Sequence, residues 1–514
     1  MLYSRVLKGS PHCLPSPDGN SIAALLASAI AIREVQTLQV TNTIKLPAGL
    51  SGGVVAFSWA PSATRILVAV VDQVHVFSTI PGDSYHAVIR LATSSVAKPT
   101  LVTFGAADDE VLVFSTHGIK LSIFNLSSST TIEIANPKFY TAPAAARGHC
   151  IRPKSNHLAL LTRNAGKDMI SIHPPRSREL MRSWTVETID AQGLTWTPDG
   201  NWLLVWESAA HGHRLLYYTP DGHLFNEWHG PKPGPGDVDL HLGAGIGHLK
   251  LGAVGELIAI SDSSRAVTVL STSTMAEKAR LTHTDDIRPS ETLQVWQEQS
   301  VTQTEQAGPI FAKATQTVAP PGGSVSGSSD AKSGCNLIAF DCSCTLLVTR
   351  LAAAPSTLWI WDIPNAELRA VLVYHSDVVQ VQWHPTQAEL LLIRCEAAAL
   401  GTIFVWDPLS QGPRTLGIES RLKLRKITGK LQVRWLDRAD ELASVFYADD
   451  SSFGLCLLAD NDSDLAEWFP QGQEDQDSFL SLAGSDRRNG TASLLEDFDD
   501  DHSDMEDTFH FKRT

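Results

Sequence analysis

The sequence predicts an all-β chain: a β-propeller of about nine degenerate four-stranded units, with a long insertion and an acidic C-terminal tail. Three observations predict it. First, "LWIWD" at 358–362 and "FVWD" at 404–407 each end an apolar strand in Trp-Asp, and the two Trp lie 45 residues apart. That spacing is one repeat of the roughly 40–45 residues that a WD40-type blade uses for four strands. Second, weaker copies of the same strand are centred on Arg33, Phe77, Phe124, His173, Tyr218, Leu270, Trp361, Trp406 and Leu457. Their successive gaps are 44, 47, 49, 45, 52, 91, 45 and 51 residues. Third, turn residues precede several of these centres: "SPDG" at 16–19, "APSA" at 60–63, "TPDG" at 197–200 and "HPTQ" at 384–387. Pro presets φ and Gly permits positive φ, so such clusters set tight turns between strands.

Each element follows from this frame. Alternation of period two, as in "GLTWTPDGNWLLVW" at 193–206, reads as paired strands around a turn. In such a blade the Trp of the third strand packs toward a neighbouring blade, and the following Asp hydrogen-bonds the turn. Trp361, Asp362, Trp406, Asp407, Trp196 and Trp383 are therefore assigned to structural blade positions. The opening "LYSRVLKGS", residues 2–10, is expected to supply the outer strand of the last blade. The apolar run "IAALLASAIAI", 22–32, is too short to span a bilayer and reads as a hairpin. The single gap of 91 residues marks an insertion at 287–334, rich in Gly, Ser, Ala and Pro toward its end and expected to be mostly disordered. The propeller is thus placed at 1–460 and the tail at 461–514. Most units lack Trp-Asp, and the usual Gly-His start is reduced to "YH" at His375, so apolar packing is expected to outweigh a buried Asp-His-Ser-Trp network.

Composition narrows the function. The 514 residues include 56 acidic and 41 basic side chains, a net charge of −15. Fifteen acidic and four basic residues fall in 461–514, so most of that charge lies in the tail. Nucleic-acid binding needs clustered Lys and Arg to neutralise phosphates, and the body offers no basic stripe. An anionic membrane surface is disfavoured for the same reason. The seven Cys are scattered without a metal-ligand spacing, which suits reduced thiols. Cys342 and Cys344 are read as sharing a strand face. His211, His213, His229, His241 and His248 cluster loosely, without the spacing of a metal site. "GAGIG" at 243–247 does not open a helix, so it is no dinucleotide loop. No acid-base pair or nucleophile constellation is apparent; neither catalysis nor a cofactor or metal is expected.

Two segments are candidates for partner contact. "SRLKLRKITGK" at 420–430 gathers Arg421, Lys423, Arg425, Lys426 and Lys430 in an otherwise acidic protein. It is either a solvated strand and loop or a patch for an acidic partner such as a tubulin tail. The tail "SLLEDFDDDHSDMEDTFHFKRT", 493–514, interleaves Leu495, Phe498, Met505, Phe509 and Phe511 with acid. It is either a solubilising tail or a segment that orders on a basic, apolar groove. Ser493 and Ser503 each precede an acidic residue by three positions and are candidate phosphorylation sites.

The ordered run "KDMISIH", "DAQGLTWTPDGNWLLVWES" and "LLYYTPDGHL" resembles the WD-repeat protein eight family of centrosomes and spindle poles. "LIAISDSSRAVTVL" and "STLWIWDIPNAELRAVLVYHSDVVQVQWHP" continue it, over roughly residues 1–460. The sequence departs from the family at "AAPST", 353–357, and in the third and fourth units. A fungal member is the form it resembles. The resemblance implies a non-enzymatic scaffold at the spindle pole body or centrosome. Its expected partners are a coiled-coil anchoring protein and a kinesin-14 motor, with microtubules reached indirectly through them. It would anchor microtubule minus ends and support spindle assembly. The rival readings are a translation-initiation or RNA-associated propeller, and a substrate receptor of a ubiquitin ligase.

Overall fold

A computed structural model of the chain describes residues 1–48, 50, 53–91, 99–138, 148–231, 245–254, 256–299, 309–322, 334–396, 402–418, 431–438, 442–458 and 509–511. The fold is an all-β, nine-bladed β-propeller. The only helices among the described residues are two single 3-10 turns, Thr116–Gly118 and Ala209–His211. Contacts divide the chain into two compact units. One holds Met1–His117, Ser122–Glu133 and Ala448–Thr514; the other holds Gly118–Leu121 and Ile134–Tyr447.

In the first unit, blade 1 runs Cys13–Pro15, Ser21–Leu25, Ala29–Glu34 and Val40–Lys45. Blade 2 runs Ala56–Trp59, Arg65–Ala69, Gln73–Ser78 and His86–Arg90. Blade 3 runs Pro99–Phe104, Glu110–Ser115, Lys120–Asn125 and Thr130–Ala135, of which Lys120, Leu121, Ile134 and Ala135 fall in the second unit. The run at 22–32 is indeed a hairpin, with Ala23 opposite Ile32 and Leu25 opposite Ile30. The N-terminal segment pairs with the third strand of blade 9, Leu2 opposite Leu457 and Leu7 opposite Phe453. Residues 2–10 therefore do supply that blade's outer strand.

In the second unit, blade 4 covers residues 149–185, blade 5 residues 191–228 and blade 6 residues 248–282. Blade 7 has Cys335–Phe340, Leu346–Leu351, Thr357–Asp362 and Glu367–Val373. Blade 8 has Val378–Trp383, Leu391–Cys395, Ile403–Trp406 and Arg414–Leu416. Blade 9 begins with Gln432–Trp435 and Ser444–Ala448. All nine sequence-derived centres, Arg33 through Leu457, fall at or near the ends of third strands.

Burial explains why these segments are strands. Second strands such as "RILVA", "LLVWE" and "LIAIS" are almost continuously buried, because neighbouring sheets cover both faces. Fourth strands alternate instead. Val40–Lys45 and Thr130–Ala135 repeat one exposed and one half-buried residue, as a strand with a wet face must. Each core lies between successive sheets. Leu204, Trp206, Leu215 and Tyr217 of blade 5 pack with Ile258, Ile260 and Leu270 of blade 6. Each such side chain contributes roughly 1.5–3 kcal/mol on burial. The turns close as their sequences dictate. In "TPDG" the Asp199 carboxylate accepts from Thr197 Oγ1 (2.5 Å) and Asn201 N (3.0 Å), and Gly200 takes φ +75°.

Two expectations are corrected. The insertion at 287–334 is not mostly disordered in its described part. Gln294–Gln299 pairs in parallel with Glu367–Val373 and antiparallel with Ile310–Lys313, extending blade 7 to six strands. Apolar burial drives this: Val295 is fully buried, and Ile287, Trp296 and Val318 nearly so. Residues 300–308 and 323–333 lie outside the described residues. Cys342 and Cys344 do not share a strand face. They sit in the turn between the first two strands of blade 7, where Asp341 accepts from Ser343 Oγ (2.5 Å) and Leu346 N (2.9 Å). Cys344 there takes φ +60°.

Candidate interaction surfaces and the buried blade network

The Trp-Asp pairs sit inside the fold rather than on it. Asp362 accepts from Asn365 N (3.1 Å) and Asp407 from Leu409 N (2.9 Å), each tying the turn that follows its strand. Trp361 packs among blade 6 and blade 7 residues such as Val267, Val269 and Leu347. Trp406 is fully buried in the core shared by blades 7 and 8.

The two indoles differ in one respect. Trp361 Nε1 donates to Thr349 Oγ1 (2.9 Å), and Thr349 lies 2.8 Å from His283 Nε2. His283 Nδ1 lies 2.7 Å from the Arg265 carbonyl, which can only accept. Nδ1 therefore carries the proton, and Nε2 is left to accept from the Thr349 hydroxyl. The result is a directional chain, Trp361 to Thr349 to His283 to Arg265. Blade 7 thus has most of the hydrogen-bond network that the sequence was expected to lack, with a backbone carbonyl in place of the Asp. Its histidine is His283, not His375, whose backbone N–H instead donates to Glu298 Oε2 (2.8 Å). The clue missed was "LTHTDD", separated from blade 7 by the insertion. Blade 8 does follow the expectation of apolar packing. Trp406 Nε1 has no hydrogen-bond partner among the described residues.

Trp383 and Trp196 end the first strands of their blades. Trp383 Nε1 donates to the Ala339 carbonyl of blade 7 (2.9 Å). Trp59 does the same to Leu14 (3.0 Å), and Trp435 to Gln382 (2.9 Å). These three first-strand Trp residues staple their blades to the first strand of the preceding one, whereas Trp196 Nε1 has no hydrogen-bond partner among the described residues. Trp196 is buried beneath the Arg152 guanidinium, 5.2 Å from the ring centroid.

A groove opens on the second unit. It is about 480 Å³ and is lined by Pro198, Asp199, Asn201 and Trp202 of blade 5 and by Ala253, Val254, Glu256, Thr272 and Ser273 of blade 6. Trp202 packs against Phe225, ring centroids 4.6 Å apart and tilted by 35°. Val254 is 67% exposed, beside the polar Asp199, Asn201, Glu256, Thr272 and Ser273. Burial works against the charge on Asp199, but hydrogen bonds from Thr197 and Asn201 hold its carboxyl below the usual range. The groove is therefore anionic at neutral pH. Asp199 and Glu256 give the lining a negative charge, so the arrangement can receive a basic segment.

Among the described residues no group of three or more His, Cys, Asp or Glu is placed to hold a metal ion. His213 instead faces Asp262 at 2.9 Å. The candidate patch of Arg421, Lys423, Arg425, Lys426 and Lys430 lies outside the described residues, as do Phe498, Met505, Ser493 and Ser503. Phe509 and Phe511 belong to a short strand, Phe509–Phe511, paired with the outer strand of blade 2. No helix among the described residues is long and apolar enough to cross a membrane.

The blade count, the Trp-Asp strand ends and the His-Thr-Trp chain define a β-propeller of the WD-repeat class. No family model matches the chain. It is similar to an uncharacterised WD repeat-containing protein of Schizosaccharomyces pombe, 23% identical over 478 residues, covering 89% of this chain and 91% of the relative. It is also similar to WD repeat-containing protein WRAP73 of Mus musculus, 25% identical over 414 residues, covering 77% and 84%. Among solved structures, a eukaryotic initiation factor aligns at 11% identity with a TM-score of 0.48, covering 78% of this chain and 86% of that one. WD-repeat relatives along most of the chain suggest a scaffold or protein-interaction role.

Proposed function

We propose that the chain is a non-enzymatic scaffold of the spindle pole body or centrosome that helps anchor microtubule minus ends. Its partners in this reading are a coiled-coil anchoring protein and a kinesin-14 motor. The observation that carries it is the order of its blades. The run from "KDMISIH" to "VQWHP" resembles the spindle-pole family in order and spacing, with a departure at "AAPST", 353–357, and WD-repeat relatives align along most of the chain. The groove between blades 5 and 6 supports the binding half of the reading, since its acidic lining can receive a basic segment. Tagging the full chain with a fluorescent protein in dividing cells tests the reading. Discrete spots at both spindle poles are expected. A diffuse cytoplasmic signal would reject it in favour of a translation-associated role, and a nuclear signal in favour of a ligase receptor.

A further inference from the structure

The outer strand of each blade is the edge it presents to solvent. An exposed edge with unpaired N–H and C=O groups is a template for another strand, and proteins blunt it with charge or cover it. Most fourth strands here are blunted. "VTNTIK", "TTIEIA", "RSWT", "LFNEW", "EKARLT" and "RTL" never place more than two apolar residues together. Two blades break this pattern. Blade 7 ends in "ELRAVLV" and blade 2 in "HAVIR". Both are covered by a strand from elsewhere in the chain. Gln294–Gln299 covers blade 7. Phe509–Phe511 covers blade 2 in antiparallel register, with Ala87 opposite Phe511, Val88 opposite His510 and Ile89 opposite Phe509.

The covering segment is suited to this by its sequence. Residues 493–508 are dense in acid, which disfavours pairing along a strand. The last six, "FHFKRT", contain none, and their aromatic-His-aromatic start has the period and residue types of a strand. Its tether is long enough. Fifty residues separate Leu458 from Phe509, which can reach at most about 165 Å. Both ends belong to the first unit. A tether of this kind holds a weak strand at an effective concentration of order mM, so a three-residue pairing persists that would be lost as a free peptide.

We propose that the outer edge of blade 2 is a strand-addition site whose resident ligand is the chain's own C-terminal segment, Phe509–Phe511, bound in cis. The tail is then the keeper of this edge, and the edge accepts another strand only after the tail leaves. Hydrogen exchange tests it on three chains: the full chain, a chain ending at residue 504, and full-length His510→Pro. Proline removes a backbone N–H and is poorly tolerated where a strand must pair. Exchange across residues 86–90 is expected to be at least tenfold faster in both variants, with the other blades unchanged. A synthetic peptide of residues 505–514, added in excess to the truncated chain, should restore protection. Unchanged exchange in both variants would overturn the proposal. Protection that rises with protein concentration together with dimer mass would also overturn it, by showing that the tail of a second copy occupies the edge. Neither readout depends on where the protein resides in the cell.

Discussion

Replacing Trp361 with alanine is expected to cost about 4 kcal/mol, within the roughly 3–5 kcal/mol typical of a buried Trp truncated to Ala. Loss of packing accounts for most of it. The indole sits 5% exposed among side chains of blades 6 and 7. The rest comes from the hydrogen-bond chain. Without the indole N–H, Thr349 loses its donor while still facing His283. Since whole domains are stable by only about 5–15 kcal/mol, the alanine variant should be largely insoluble or poorly folded. A gentler pair separates the two causes. Trp361→Phe removes the donor and keeps most of the ring, so it loses a hydrogen bond of about 1 kcal/mol as well as some volume. Trp406→Phe loses similar volume but only an N–H without a partner among the described residues. Thermal unfolding should therefore show Trp361→Phe melting about 1–2 °C below Trp406→Phe. Equal midpoints would mean that the indole-to-Thr349 bond contributes nothing.

Mild acid should destabilise the fold well before its carboxylates protonate. Burial pulls the His283 pKa down from 6.5 to about 4, more than the Arg265 carbonyl raises it. Burial likewise brings His75 and His384 down to about 4. The folded protein keeps these rings neutral where the unfolded chain protonates them. Unfolding therefore takes up protons between pH 6.5 and 4, and stability falls as pH falls through that window. Each ring contributes at most about 1.4 kcal/mol per pH unit, so His283 alone removes up to about 3 kcal/mol across it. Mechanistically, a proton on Nε2 would displace the hydrogen bond from the Thr349 hydroxyl. The paired carboxylates Asp190, Asp199 and Asp262 are held below their usual range, so they act at lower pH still. The check is a series of melting curves from pH 7 to 4.5 for the parent and for His283→Gln. The variant should start less stable but lose less on acidification. An identical pH dependence would remove His283 from the explanation.

The repeat was legible because each blade writes the same local chemistry. A third strand buried on both faces must be apolar and must then end in a turn, so Phe77, Phe124, Tyr218 and Leu270 mark their blades without a Trp-Asp. What sequence order hid was pairing at a distance. Val295 and Trp296 were visible as an apolar pair in "LQVWQEQ", but their partner strand begins about 70 residues later and runs parallel. His283 lies 66 residues before Thr349 because the insertion intervenes, and no Gly precedes it to mark the start of a unit. The aromatic residues of the tail were noticed, yet nothing local to them names an edge nearly 420 residues earlier in the chain.

Hydrogen exchange on the intact chain probes the nine-unit architecture blade by blade. Buried third strands with hydrogen bonds on both sides exchange only through opening of the blade. Nine blades require nine separate slow segments, one around each of Arg33, Phe77, Phe124, His173, Tyr218, Leu270, Trp361, Trp406 and Leu457. They should be divided by faster turns such as 197–200 and 407–412. If any one of these strands, Lys120–Asn125 for example, exchanged at the rate of an unstructured peptide while its neighbours stayed protected, the nine-bladed fold would be contradicted.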